Sequence, residues 1–217
     1  HPFKSRSSSN EPLAISSLKQ RLNYIEQLGL DYAFVVDFNK SIAGMEARDF
    51  IEKILVEKLK VKEIYIGENF RFGKERCGDV NLLKEEGEKF GFSVIPISLF
   101  RVGDEIVSST KIRGSIAEGN LGKVEEFLGR KYSLLGKVVE GKGISKDIQF
   151  PTANIEFDEV ILPPDGVYAG WAKVGKVIYK SAFFLATKPK RLIEAHLIGL
   201  KKNIYHKEIE IVFMKKL

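Results

Sequence analysis

The hydrophobic pattern of the chain changes once, at Gly129-Arg130-Lys131, and this change restricts the fold more than any other feature. Before it, helical stripes alternate with short apolar runs. Leu18, Leu22, Ile25 and Leu28 form one stripe between Leu13 and Leu28, closed by Gly29. Ala47, Phe50, Ile51, Ile54, Leu55 and Leu59 form a second, and a third helix is expected over Leu82 to Phe90, weakened by Gly87. Tyr32-Ala33-Phe34-Val35-Val36 reads as a strand buried on both faces, Ile64-Tyr65-Ile66 as another, and Phe92 to Phe100 as a further one despite Pro96. Strands alternating with helices predict a parallel, doubly wound α/β sheet. After Gly129 the pattern is β-rich: Tyr132 to Val139, Ala153 to Phe157, Val167 to Val174, Val177 to Ala186, Leu192 to Ile198 and Glu208 to Met214. Such closely spaced strands close into a small barrel or sandwich. Two domains are expected, residues 1–129 and 130–217.

Composition agrees with two compact domains. The 217 residues are 44% hydrophobic and 29% charged, a globular balance. No apolar run approaches the ~20 residues a membrane helix needs. Cys77 is the only cysteine, which excludes a disulfide scaffold, and with no secretory or transit pattern at His1 a reducing cytoplasm is the expected setting. A net charge of +6 suits a phosphate-bearing partner without separating nucleotides from nucleic acid.

Four stretches carry candidate chemistry. Ser108-Ser109-Thr110-Lys111-Ile112-Arg113 opens a helix, where unpaired N–H groups and the positive end of the helix dipole favour anions; Arg113 lies one turn beyond Ser109 on the same face. An ordinary Ser/Thr N-cap explains the hydroxyls equally well. Gly67-Glu68-Asn69-Phe70-Arg71-Phe72-Gly73-Lys74 is not a Walker A loop, because its glycines are misplaced and Glu75 stands where Ser or Thr should be. Its aromatics and cations suit a flat heterocycle with a phosphate tail, or else pack inward as a structural loop. Gly141-Lys142-Gly143 precedes Phe150-Pro151-Thr152-Ala153-Asn154, where Thr152 and Asn154 are expected on one side of a strand as hard-oxygen ligands for a magnesium–phosphate complex. Glu194 and His196 share a strand face that is a metal pair, a general-base site or the solvated side of a barrel. Three histidines are too few for a His-rich metal centre.

With these motifs in hand, the chain resembles the bifunctional bacterial FAD synthetases, which join an FMN adenylyltransferase module to a riboflavin kinase module. The resemblance rests on His1-Pro2, Val36-Asp37-Phe38, Gly67 to Gly73, Ser108 to Arg113 and Leu128-Gly129-Arg130-Lys131-Tyr132. It continues through Phe150 to Asn154, Pro163-Pro164-Asp165-Gly166-Val167-Tyr168 and Ile193-Glu194-Ala195-His196-Leu197. It implies an N-terminal Rossmann-like nucleotidyltransferase domain and a C-terminal small antiparallel β-barrel kinase domain. It also implies that Ser108, Ser109, Thr110 and Arg113 hold ATP during adenylyl transfer and that Asn69, Phe70 and Arg71 bind the flavin. In the kinase module it assigns Gly141, Lys142, Gly143, Thr152 and Asn154 to ATP and Mg²⁺, with Thr152 and Asn154 on the metal, and Glu194 as the catalytic base. Riboflavin, FMN and FAD follow as substrates and products, with no nucleic-acid or membrane partner.

The family pattern also has departures. Its His-x-Gly-His segment is expected upstream of His1, Gln149 replaces a glycine, further residues are expected between Pro189 and Arg191, and a helical tail is expected after Leu217. Two other readings stand beside the main one: a riboflavin kinase with an inactive adenylyltransferase module, and a basic nucleic-acid-binding protein.

Overall fold

The computed structural model describes residues 13–140, 152–187 and 191–217. By their contacts these form two compact units. Residues 34–106 make one, and residues 13–33 together with 107–217 make the other.

The first unit is α/β with parallel strands. Strands β1 (Glu63–Gly67) and β2 (Ser93–Ile97) pair in parallel, with Tyr65 opposite Ile95. Earlier in this unit come the short helices α2 (Lys40–Ala43) and α3 (Ala47–Asp49), the latter running on as a π-helix over Phe50–Lys58. The crossover between the two strands carries α4 (Val80–Phe90), which starts where the Asp79 carboxylate accepts the Leu82 N–H at 3.0 Å and stops at left-handed Gly91. Ala47, Ile51, Phe72, Leu83 and Phe92 form the core beneath. The glycine that weakens the helix signal has a packing role, since a Cβ on Gly87 would lie 2.6 Å from the Phe92 carbonyl oxygen. A hairpin of β3 (Arg101–Val102) and β4 (Glu105–Ile106) closes the unit.

The expected strand over Tyr32–Val36 is not formed. Those residues are irregular, and Tyr32 and Phe34 are 83% and 72% exposed. An apolar run specifies that a strand would be buried on both faces, but a strand also needs neighbours to take its N–H and C=O groups, and none of the described residues pairs with it.

In the second unit, six strands close an antiparallel barrel: β5 (Ser133–Val139), β6 (Ala153–Phe157), β7 (Gly166–Val174), β8 (Val177–Ala186), β9 (Leu192–Leu197) and β10 (Glu208–Lys216). Their order around the barrel is β10-β5-β6-β9-β8-β7, with β7 returning to β10. Closure leaves no free sheet edge. Alternate residues point inward, as with Ile193, Ala195 and Leu197 on β9, all at most 4% exposed. Phe213 is the hub of the interior, stacked on Tyr132 at 5.9 Å and meeting Tyr168 and Phe183 edge-on at 5.2 and 5.8 Å. Gly170 is required where β7 crosses β10, because a Cβ there would lie 2.0 Å from the Val212 carbonyl oxygen.

Three helices belong to this barrel unit, namely α1 (Leu18–Gln27), α5 (Ser109–Ala117) and α6 (Leu121–Leu128). Helix α1 is joined to the barrel by polar groups. Buried Gln20 donates from Nε2 to the Ser133 carbonyl oxygen at 3.1 Å, and the Ser133 hydroxyl donates to Glu210 at 2.8 Å. The Tyr132 hydroxyl donates to the Ile161 and Ile15 carbonyls at 2.5 and 3.2 Å. Burial holds that phenol well above its usual pKa, so it remains a donor at neutral pH.

Candidate functional sites

The barrel brings together residues that lie far apart in the chain. The β6–β9 register sets Asn154 directly opposite Glu194, with Ala153 opposite Ala195 and Ile155 opposite Ile193. Because Ile155, Ile193 and Ala195 point inward and are essentially buried, Asn154 and Glu194 stand together on the outer face, each half-buried. His196 is on that face as well, opposite Ala182 of β8. Thr152 lies just before β6, also half-buried. A hydroxyl, an amide oxygen and a carboxylate therefore gather around the start of one strand and its neighbour. Gly141, Lys142 and Gly143 lie outside the described residues.

Thr152 also borders a cavity of about 350 Å³ at one mouth of the barrel, walled by inward-facing Val138, Ala195 and Leu197 and rimmed by Lys201, Lys202 and Tyr205. The rim is pinned to β5 by two backbone bonds: the His206 N–H donates to the Val138 carbonyl at 2.8 Å, and the Val138 N–H donates to the Lys207 carbonyl at 2.9 Å. His206 sits at φ 63°, a strained position for a residue with a Cβ. Sequence reasoning missed this rim. Its one available signal was the Lys201-Lys202-Asn203 run in the loop after β9.

Among the described residues no group of three or more His, Cys, Asp or Glu side chains could hold a metal ion. Thr152 and Asn154 fit a different arrangement, in which two neutral hard oxygens complete the shell of a cation carried largely by phosphate oxygens.

In the helix expected at Ser108, the Ser108 side chain is the N-cap of α5 and accepts the Lys111 N–H at 3.3 Å. Ser109 and Thr110 are exposed in the first turn and Arg113 is half-buried one turn on. The β3–β4 hairpin stands between β2 and this helix, so Ser108 does not leave a parallel strand directly.

The loop after β1 divides its aromatics. Phe72 packs inward at 8% exposure, while Phe70 remains 44% exposed and stacks on it at 5.9 Å. Arg71 pairs with Asp79 at 2.7 Å, and Asn69 is exposed. The Asp79 carboxyl is held below its usual pKa, chiefly by the Leu82 N–H and further by Arg71. Of the two cations in this loop, Arg71 is therefore tied to the cap of α4, and Lys74 pairs with Glu46 at 3.0 Å. These residues belong to the 34–106 unit, whereas Ser108 to Arg113 belong to the barrel unit. No helix among the described residues is long and apolar enough to cross a membrane.

Residues 1–111 match the family described as FAD synthetase, and residues 128–217 match the one described as riboflavin kinase. The bifunctional riboflavin kinase/FMN adenylyltransferase of Buchnera aphidicola subsp. Schizaphis graminum is 33% identical over 226 residues, covering 100% of this chain and 72% of the relative. The Escherichia coli K12 protein of the same description is 32% identical over 222 residues, covering 100% and 71%. A solved structure described as a macrolide-efflux protein from Streptococcus pneumoniae superposes with a TM-score of 0.86 at 22% identity, covering 100% of this chain and 72% of that one. At that identity the superposition speaks for the fold alone. Two family matches in the expected order, with relatives aligned along the whole sequence, establish that the chain belongs to the bifunctional riboflavin kinase/FMN adenylyltransferase family.

Proposed function

We infer that this chain is a transferase that phosphorylates riboflavin with ATP to FMN and then adenylylates FMN with ATP to FAD and diphosphate. The reading of its sites rests on one observation above the others, the pairing of Asn154 with Glu194 on the outer face of the barrel. In the kinase reaction the terminal ribityl hydroxyl attacks the γ-phosphorus, its proton passes to the Glu194 carboxylate, and ADP leaves. A carboxylate placed at the hydroxyl is the simplest proton acceptor for such a transfer. Thr152 Oγ and Asn154 Oδ1 would hold Mg²⁺, which supplies charge neutralisation of the phosphates when bound. The cavity beside Thr152, with Lys201 and Lys202 on its rim, suits the nucleotide.

In the adenylyl transfer an FMN phosphate oxygen attacks the α-phosphorus of ATP and diphosphate leaves. Ser109 and Thr110, with their own N–H groups at the start of α5, would bind phosphate oxygens, and Arg113 would neutralise the charge. Ser108 caps that helix and so orients its N–H groups. Exposed Asn69 and Phe70 are proposed for the flavin, with Arg71 at the loop's edge. The two activities are proposed to divide at residues 129/130, with small-molecule partners alone and a cytoplasmic setting.

Incubating the protein with riboflavin, ATP and Mg²⁺ and resolving the products by chromatography tests this reading. FMN followed by FAD is expected. FMN alone leaves only the kinase, and no flavin product overturns both activities.

A further inference from the structure

The seam that brings Asn154 to Glu194 is the shortest described in the barrel. Strands β6 and β9 pair over three residues, Ala153 to Ile155 against Ile193 to Ala195, whereas β8 and β9 pair over six. The ends of a short ladder open most easily, and cross-strand side-chain pairs oppose that opening. Beyond Ile155 this work falls to Arg191. Continuing the register two residues past the Ile155–Ile193 pair brings Phe157 opposite Arg191, and the Arg191 guanidinium lies over the Phe157 ring at 5.3 Å. The same guanidinium donates through Nη2 to the Val160 carbonyl, in the loop after β6. Next to that carbonyl, Ile161 accepts from the Tyr132 hydroxyl at 2.5 Å. Burial raises the Tyr132 pKa, and the nearby charges of Arg130 and Arg191 oppose the rise. Arg191 thus ties the start of β9 to the end of β6 and to the base of the barrel.

We propose that Arg191 is a positioning residue for riboflavin phosphorylation, clamping β9 to β6 so that the Glu194 carboxylate is held beside Asn154. The proposal rests on the reading of Glu194 as the base at the ribityl hydroxyl. Arg191 and Phe157 share the parity of Ile193 and Ile155, which are buried, so the pair lies on the opposite face of the wall from Glu194 and acts only through the backbone. Glu194 is three residues further along β9, about 10 Å at the usual strand rise. A reacting group displaced by about 1 Å can lose on the order of 10²-fold in rate, so a small opening of this seam is felt in the chemistry. Both contacts suit a guanidinium, whose flat face meets the ring while an N–H reaches the carbonyl; a lysine ammonium keeps the charge and a donor but not the planar stack.

The test uses the full chain and the variants Arg191→Met, Arg191→Lys and Phe157→Leu. Methionine keeps an unbranched apolar stem without charge or donor. In Arg191→Met the kcat for FMN formation should fall by about 5–50-fold, while the KM values for riboflavin and ATP stay within about twofold. Amide hydrogen exchange at residues 193–195 should be faster by about 10-fold or more. Arg191→Lys should recover part of the kcat, and the losses from Arg191→Met and Phe157→Leu should be less than additive in the double variant. FAD formation from supplied FMN is the control and should not change. Wild-type kcat in folded Arg191→Met overturns the proposal, even with a lowered urea midpoint, because a purely structural contact would give that result. A loss confined to either KM also overturns it, since it would put Arg191 at a substrate. Should Arg191→Met fail to fold, Arg191→Lys and Phe157→Leu carry the same comparison. Failure of the base reading shows differently, as wild-type phosphorylation by Glu194→Gln; faster exchange at residues 193–195 in Arg191→Met would then uphold the clamp alone.

Discussion

Asn154 and Glu194 face each other across the β6–β9 ladder, one strand spacing apart on the outside of the barrel. Neither residue is informative alone, since an outward Glu on a barrel strand is ordinary. Their opposition places a neutral amide oxygen beside a carboxylate, the two groups that the proposed phosphoryl transfer from a metal–nucleotide complex to a hydroxyl would use.

The first prediction follows from that pairing. Glu194→Gln keeps the shape and most of the hydrogen bonding of the side chain but cannot take a proton. FMN formation from riboflavin should fall by ~10²–10⁴-fold, while supplied FMN is still converted to FAD. Near wild-type phosphorylation by this variant would return Glu194 to the solvated side of a barrel.

Arg113 carries the second. It lies one turn into α5, beyond the hydroxyls of Ser109 and Thr110. Replacing it with alanine should remove the proposed charge-assisted contact to ATP, worth about 1.5–3 kcal/mol, so kcat/KM for FAD formation should drop by roughly 10–100-fold. FMN formation from riboflavin should be little changed. Equal loss of both activities in a folded protein would argue against separate sites.

The third concerns stability of the barrel unit. Gln20 is 3% exposed, receives the Ser17 N–H in a capping box, and donates to Ser133 on β5. Gln20→Ala leaves both the Ser133 carbonyl and the Ser17 N–H without this partner, at a cost of about 1–3 kcal/mol. Urea unfolding followed by the fluorescence of Trp171 on β7 should show a lower midpoint with an unchanged slope. An unaltered midpoint would mean that α1 does not support the barrel.

The fourth uses pH. Asp79 is ionised with a depressed pKa because it accepts the Leu82 N–H and pairs with Arg71. A carboxyl whose folded pKa lies below its unfolded value contributes stability above the unfolded value, and loses it as pH falls through the folded one. Asp79→Ala should therefore lower the unfolding midpoint of the 34–106 unit at neutral pH. The gap to wild type should narrow as pH falls below 3.8, the ordinary value for this carboxyl. A gap independent of pH would show that the ionised form is not what caps α4.

Much of the second unit was legible in the sequence. The six β-rich runs became six strands with ends shifted by at most a few residues, because alternation of apolar and polar residues records directly which side of a barrel wall each residue occupies. Helix α4 was legible too, from its apolar stripe and despite Gly87. Tyr32 to Val36 was misread for a physical reason: an apolar run encodes a preference for burial, whereas a strand forms only where neighbours accept its backbone hydrogen bonds. The place of α1 was also invisible, since the Gln20–Ser133 bond joins segments far apart in the chain and leaves no periodic trace.

The sequence by itself determined the class of each half, the pieces carrying hydroxyls, amides and carboxylates, and the family resemblance that full-length relatives bear out. Only the tertiary structure decided which pieces meet. Ring closure and strand register, not spacing along the chain, put Asn154 opposite Glu194 and Phe184 on Glu194's other side. Register is set by how inward side chains such as Ile155, Phe183 and Ile193 pack together, and a slip of one residue would turn every outward group into the core.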